Sequence, residues 1–325
     1  MSNQGRQKIT DGAASVSPKP SAYSRLLSQR PWLVIDGAMG TQLFSRGLLP
    51  GSPPEQLNLE NPEIVEAVHT EYLRVGSDII LTNTFGGTRQ RLALHGLEDK
   101  VYEINSAAAR IARRSALKFD ALVAGSIGPL GQLLDPLGPL SAVEARDAFR
   151  EQIIGLTTDS QGQRSDNSVD LLWIETMSSL EEATIALEAC CELSDLPVAV
   201  TMSFDTNRHT MMGVSPAAAV TALLAAGASA VGLNCGNSLA DNEVAIREMR
   251  EAAPDATLIA KPNAGIPEWK GAELTYSATP VLMAEFACRL QHLGVRLIGG
   301  CCGSTPDHIL AMRSALLSSS QPSSI

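Results

Sequence analysis

No apolar run in the chain approaches the roughly 18 uninterrupted residues that a membrane-spanning helix needs, so no membrane partner is expected. Positive charge is also in short supply. Lys and Arg number 25 against 35 Asp and Glu, a net charge of −10, which argues against nucleic acid or an anionic lipid surface as the main partner. Aromatics make up only 4%, while Ala, Gly and Leu abound, as suits helices packed closely on a sheet. The opening "MSNQGRQKITDGAASVSPKPSAYS" lacks the apolar centre of a secretion signal, and residues 1–29 are read as a disordered polar leader. "SSSQPSSI" marks a flexible tail over 318–325. Six cysteines among 325 residues, with no export signal, do not form a disulfide framework. Reduced thiols in a cytoplasmic protein are expected, which brings metal binding and thiol chemistry into view.

From residue 32 onward, short aliphatic runs alternate with amphipathic stretches. The runs are "WLVIDGAMG", "SDIILTNTF", "ALVAGSIGP", "VDLLWIETM", "PVAVTMSF", "ASAVGLNCG", "ATLIAKPNAG" and "VRLIGGCCG". Near-continuous apolar runs suit strands covered on both faces, hence a parallel sheet. "NPEIVEAVHTEYLRV" places Ile64, Val65, Val68, Tyr72 and Val75 on one side of a helix. Gly76, Gly227 and Gly294 fit helix C-terminal positions just before the next strand. Eight such units predict an α/β fold, a single-domain (β/α)8 TIM barrel over 30–317, rather than a doubly wound sheet. The polar stretch "TTDSQGQRSDNSVD", 157–170, is placed at the N-terminal face of the barrel as a loop.

In such a barrel the site lies where strands end. Polar or special residues gather there: Asp36-Gly37, Thr84-Phe85, Ser126, Glu175, Asn234-Cys235, Lys261-Pro262-Asn263 and Cys301-Cys302. Adjacent cysteines meet disulfide geometry badly. Cys301 and Cys302, framed by Gly299, Gly300 and Gly303, are therefore packing residues, reactive thiols or part of an assembled site. Cys235 shares their rim, and the trio is read as a three-thiolate metal site, a donor set suited to zinc. No His or fourth Cys joins it; His308 falls inside a helix opened by Thr305 and Pro306. Three protein ligands leave one position for water or substrate, and a thiol is the soft ligand such a position attracts. Cys190-Cys191, in a helix without glycine, and Cys288 are read as packing. Asp36 could instead cap a helix, and Glu175 could meet an Arg at the core edge. A zinc–thiolate switch in a non-catalytic barrel, or a metal-free redox thiol at Cys301 or Cys302, stay open as other readings of the trio.

At these residues the sequence resembles a known family. "IDGAMGTQL", "TNTFGGT", "AGSIGP", "IETM", "GLNCG", "KPNAG" and "IGGCCGSTPDHI" look like the homocysteine S-methyltransferases, with every block in family order over about residues 30–317. The resemblance implies Zn2+ held by Cys235, Cys301 and Cys302. It implies that Asp36 and Glu175 grip the amino-acid part of homocysteine, with Gly37, Thr84, Phe85, Ser126 and Asn234 completing the pocket. Asn263 resembles a family position that covers the metal when substrate is absent. The reaction implied is methyl transfer to the homocysteine thiol, giving methionine. A free thiol, with a pKa of about 8.5, is mostly protonated at neutral pH, and zinc would make it a thiolate without a general base.

Donors within the family are betaine, S-methylmethionine, or methyltetrahydrofolate through cobalamin in much larger proteins. The stretches "DIILTNTFGGTRQRL", "FDTNRHTMMG" and "GIPEWKGAELTYSATPVLMAEF" look most like short bacterial betaine–homocysteine methyltransferases. Betaine is the donor expected; S-methylmethionine or another sulfonium is the alternative. Aromatic faces bind a trimethylammonium group, so Phe204, Trp269 and Tyr276, with Phe85, are the candidate cage. The oligomeric state does not follow from the resemblance.

Overall fold

The aliphatic runs form strands and the amphipathic stretches form helices. A computed structural model describes residues 21–159, 161–164, 168–270 and 273–319. Its strands are β1 (Leu33–Val34), β2 (Ile79–Leu81), β3 (Leu122–Ile127), β4 (Leu171–Met177), β5 (Val198–Met202), β6 (Ala230–Cys235), β7 (Leu258–Pro262), β8 (Pro267–Lys270), β9 (Glu273–Tyr276) and β10 (Leu297–Ile298). Eight of them form one parallel sheet in the order β1-β10-β7-β6-β5-β4-β3-β2. A single bridge, Ile35 to Ile79, joins the two ends and closes the ring. With helices between successive strands, this is the expected (β/α)8 barrel.

Alternation along each strand sorts residues into two apolar layers. On β5, Val198, Val200 and Met202 face the helices and Ala199 faces the interior. The interior is filled by Leu33, Ile35, Ile79, Leu81, Leu122, Leu171, Trp173, Ile259 and Leu297 together with small alanines. Full burial of one large apolar side chain contributes about 1.5–3 kcal/mol, whereas an exposed ion pair gives about 0–1 kcal/mol. The two layers therefore carry the fold. Helix starts follow local chemistry: Ser141 and Glu144 form a reciprocal capping box, and Ser179, Ser215, Ser238 and Thr279 each accept a first-turn N–H. Gly76, Gly227 and Gly294 take positive φ at helix ends, as expected.

The seam between β1 and β2 has only a short ladder, and two aspartates extend it. Asp78 Oδ2 accepts the Val34 N–H at 2.8 Å on the narrow side. Asp36 Oδ2 accepts the Leu81 N–H at 2.7 Å on the mouth side.

Three expectations need correcting. Residues 22–29, assigned to a disordered leader, form a helix capped by Ser21. Tyr23, 3% exposed, packs it against the barrel interior and closes the narrow end; residues 1–20 lie outside the described set. The last helix, Pro306–Ser319, runs into the segment assigned to the tail, of which residues 320–325 are outside the described set. An unexpected antiparallel hairpin, β8 with β9, follows β7 on the mouth side. The 157–170 stretch does precede β4 as a loop with a Thr158–Arg164 bridge, apart from residues 160 and 165–167, which are not described. Among the described residues, no helix is long and apolar enough to cross a membrane.

Candidate metal and substrate site

Cys235 ends β6, and Cys301 and Cys302 follow β10. Their sulfurs all lie within 4.8 Å of one another, and Cys235 Sγ is 3.2 Å from Cys301 Sγ. The backbone pays attention to this placement in several ways. Cys235 has φ +60°, a left-handed conformation, and the Asn242 amide donates to its carbonyl at 2.9 Å. The Cys301 N–H donates to Pro262 O at 2.7 Å, and Cys302 O accepts the Ala264 N–H at 2.9 Å. Ser304 Oγ donates to Cys301 O and accepts the Ala38 N–H, binding the thiol loop to the first strand end. Glycine is required at 300, because a Cβ there would fall 2.4 Å from Ser304 Oγ.

Asn234 lies beneath the sulfurs. Its Nδ2 donates to Thr176 Oγ1 at 2.6 Å and reaches Cys235 Sγ at 3.4 Å and Cys301 Sγ at 3.7 Å. Thr176, at φ +62°, returns its N–H to Asn234 Oδ1. Hydrogen bonds from Cys235 and Cys301, with one from Tyr276, hold the Cys302 thiol well below its ordinary pKa despite burial. Cys235 is pushed up by the Cys301 and Cys302 thiols and by burial.

The donor set fits a tetrahedral metal. Bonds of about 2.3 Å to sulfur put neighbouring sulfurs about 3.8 Å apart, inside the range these thiols occupy. Asn263 adds a further observation. Its Nδ2 donates to Gly236 O at 3.2 Å, while its buried Oδ1 has no hydrogen-bond partner among the described residues.

Beside the thiols lies a charged corner. Lys261, on β7, donates to Asp36 Oδ1 at 3.0 Å, with both side chains 3% exposed. Burial raises the Asp36 carboxyl, with Lys261 opposing. Glu175, on β4, accepts from the Ser126 hydroxyl. Burial pushes Glu175 up to about 7, with Lys261 opposing and Cys301 adding to the rise.

The loop carrying Thr84 and Phe85 is held by buried amides and a carboxylate. Asn58 Nδ2 donates to Asn83 O at 2.8 Å, Gly86 N–H donates to Glu55 Oε1 at 2.6 Å, and Gln152 Nε2 donates to Thr84 O at 2.7 Å. Thr84 Oγ1 donates in turn to Ser126 O. Gly37 must be glycine, since a Cβ would lie 2.7 Å from both Ser304 Oγ and Tyr72 OH.

The structure thus brings Asp36, Gly37, Thr84, Ser126, Glu175, Asn234, Asn263 and the three thiols to one mouth. Phe85 is exposed at its edge. The cage is smaller than expected. Phe204 is 2% exposed and packs in the outer layer with the helix-facing side chains, so it does not line the mouth. The Trp269 side chain lies outside the described set, and Tyr276 stands beside Cys302. Cys190 is buried as expected, but Cys191 is exposed and Cys288 half-buried. Lys261 and Thr176 stand at strand ends but were assigned no role, and Gln152, Glu55 and Asn58 were not anticipated as site residues. Lys261 did carry a signal, being the one charge in "LIAKP".

The family model described as homocysteine S-methyltransferase matches residues 33–316. The chain belongs to the homocysteine S-methyltransferase family. It is 33% identical over 303 residues to betaine–homocysteine S-methyltransferase 1 of Mus musculus, covering 86% of this chain and 71% of that one. It is 33% identical over 310 residues to the methionine synthase of Mycobacterium leprae, covering 89% of this chain but 24% of the synthase. The chain therefore spans about a quarter of the mycobacterial synthases. Among solved structures, the metallated homocysteine methyltransferase MmuM from Escherichia coli shares its fold, with a TM-score of 0.73 at 24% identity, covering 89% of this chain and 98% of that one.

Proposed function

We propose that this chain transfers a methyl group to the thiol of L-homocysteine, giving L-methionine, with Zn2+ held by Cys235, Cys301 and Cys302. The observation that carries the reading is the convergence of three thiols from two non-adjacent strand ends within 4.8 Å of one another. Bound there, zinc would lower the pKa of a substrate thiol and present its sulfur as a nucleophile near pH 7. The chain's own residues do the rest. Asn234 donates to two of the three sulfurs and limits the charge they concentrate. Asn263 offers an amide oxygen with no hydrogen-bond partner among the described residues at the same mouth. The charged corner of Asp36, Glu175 and Lys261 is the place for the amino-acid end of the substrate, supplying orientation rather than proton transfer.

Glycine betaine is the donor favoured, supported by the likeness to a betaine–homocysteine methyltransferase across most of both chains. A sulfonium such as S-methylmethionine is the second reading, because Phe204 lies away from the mouth and the aromatic cage is reduced to Tyr276, Phe85 and the hairpin. The test is methionine formation by the zinc-loaded chain with betaine, S-methylmethionine, dimethylsulfoniopropionate and methyltetrahydrofolate supplied separately. Turnover with betaine alone is expected. Turnover with a sulfonium alone would replace the donor, and silence with all four despite bound zinc would remove the catalytic reading.

A further inference from the structure

In the reaction proposed above, the substrate sulfur joins Cys235, Cys301 and Cys302 at one place, and each sulfur is a nucleophile once deprotonated. Productive displacement forms a bond from the substrate sulfur to the methyl carbon. The bond between that carbon and the donor breaks, and its electron pair leaves with the donor. The same displacement at a cysteine would turn a thiolate ligand into a neutral thioether and end turnover. All three cysteines are only half-buried, so burial alone does not keep a small methylating agent from them.

Hydrogen bonds to sulfur supply what burial does not. Asn234 is fully buried, and its orientation is fixed because Oδ1 accepts the Thr176 N–H at 2.8 Å. Its amide hydrogens therefore point at three acceptors: Thr176 Oγ1 at 2.6 Å, Cys235 Sγ at 3.4 Å and Cys301 Sγ at 3.7 Å. One hydrogen serves Thr176 and the other is shared by the two sulfurs. The Tyr276 hydroxyl has a single hydrogen, and Cys302 takes it. Each protein sulfur thus receives a donor, and neither side chain keeps a hydrogen for a fourth sulfur. A sulfur lone pair drawn toward a donor is the weaker nucleophile. We propose that Asn234 and Tyr276 direct the methyl group to the substrate sulfur by hydrogen-bonding the three cysteine thiolates and slowing their methylation. This rests on the homocysteine reading above and makes the two side chains determinants of which sulfur reacts.

The test is methylation of the zinc-loaded chain by iodomethane without homocysteine, iodide leaving with the electron pair. Peptide mass spectrometry follows the gain of one methyl group at each cysteine, and zinc content is measured beside it. Asn234→Leu keeps the volume and removes the donor. It should speed methylation of Cys235 and Cys301 about 10-fold, as loss of a hydrogen bond to a charged group implies, with Cys302 unchanged. Tyr276→Phe keeps the ring on Gly303 and should speed Cys302 alone; it carries the test by itself should Asn234→Leu release zinc. Thr176→Val breaks the same side-chain pair yet frees a hydrogen for the sulfurs, so it should leave all three cysteines at or below the native rate. Equal acceleration in Thr176→Val and Asn234→Leu would make Asn234 a strut and overturn the proposal. Native rates in both Asn234→Leu and Tyr276→Phe would overturn it as well. Homocysteine added to the native chain should take the methyl group in place of the cysteines, faster than in the absence of protein. No such acceleration would overturn the homocysteine reading, while the rates at the cysteines still decide the proposal.

Discussion

The Tyr276 ring fills the space beside the Cα of Gly303: a Cβ at position 303 would fall 2.1 Å from Tyr276 Cγ. Gly303 also has φ +77°, so the end of the hairpin and the thiol loop interlock at a point where no larger residue fits. Gly303→Ala is expected to displace Cys302, weaken zinc binding at least 10-fold and destabilise the chain by about 2 kcal/mol or more. Gly40→Ala, at an open helix start with nothing within 4 Å, should leave both unchanged. Zinc titration and urea unfolding of the two variants check this.

Removal of any one thiol from the trio should abolish stoichiometric zinc. Cys235→Ala, Cys301→Ala and Cys302→Ala are each expected to lose the metal on dialysis, together with methyl transfer. Cys191→Ala, at an exposed helix position, should retain both. Cys190→Ala removes a fully buried sulfur and should lower stability by about 1–2 kcal/mol with zinc intact. Metal content per chain, measured after purification under reducing conditions, separates the two groups.

Glu175, held up to about 7 chiefly by burial, gives a pH dependence of defined sign. An ammonium is bound by the ionised carboxylate, so homocysteine affinity should fall about tenfold per pH unit below 7. The stability effect runs the other way. The folded chain holds a proton that the unfolded chain releases near 4.5, so this contribution is fully present below 4.5 and lost as pH rises through 7. Glu175→Gln should flatten both profiles, read by calorimetric titration and by urea midpoints.

His69 supplies the opposite slope. It is fully buried in the helix Pro62–Arg74, and neither ring nitrogen has a hydrogen-bond partner among the described residues. Burial pulls its pKa down to about 4, with Glu66 opposing. The folded chain keeps the ring neutral while the unfolded chain binds a proton near 6.5, so stability present above 6.5 is lost as pH falls toward 4, by about 3 kcal/mol. His69→Leu should remove most of that loss when urea unfolding is compared at pH 8 and pH 5.

The barrel and its mouth were legible in the sequence for one reason. Chemistry-bearing residues interrupt aliphatic runs at their C-terminal ends, and the topology brings those ends together. The Cys235–Cys301 contact needs no more than that. The same alternation carried a warning about Phe204: it shares parity with Val198, Val200 and Met202, and so belongs to the outer layer. Glu55 and Asn58 were beyond reach, because they lie in an irregular stretch whose partners, Gly86 and Asn83, follow no periodic rule. The pairing of Lys261 with Asp36 spans 225 positions, and the charge in "LIAKP" indicated a partner without naming it. The helix Ala22–Gln29 escaped notice because its partners lie far off in sequence: Tyr23, Leu26 and Leu27 pack on the interior layer, and Arg296 donates to Leu27 O.

That helix has a practical consequence. Kinship with the family begins at residue 33, whereas the cooperative unit begins at least at Ser21, whose hydroxyl caps the helix closing the narrow end. A chain trimmed to the family boundary would keep every group at the mouth yet leave interior residues at the strand starts, such as Leu33 and Leu122, under an open floor. It should melt earlier and take up a fluorescent hydrophobic dye, although no residue near the thiols had been touched.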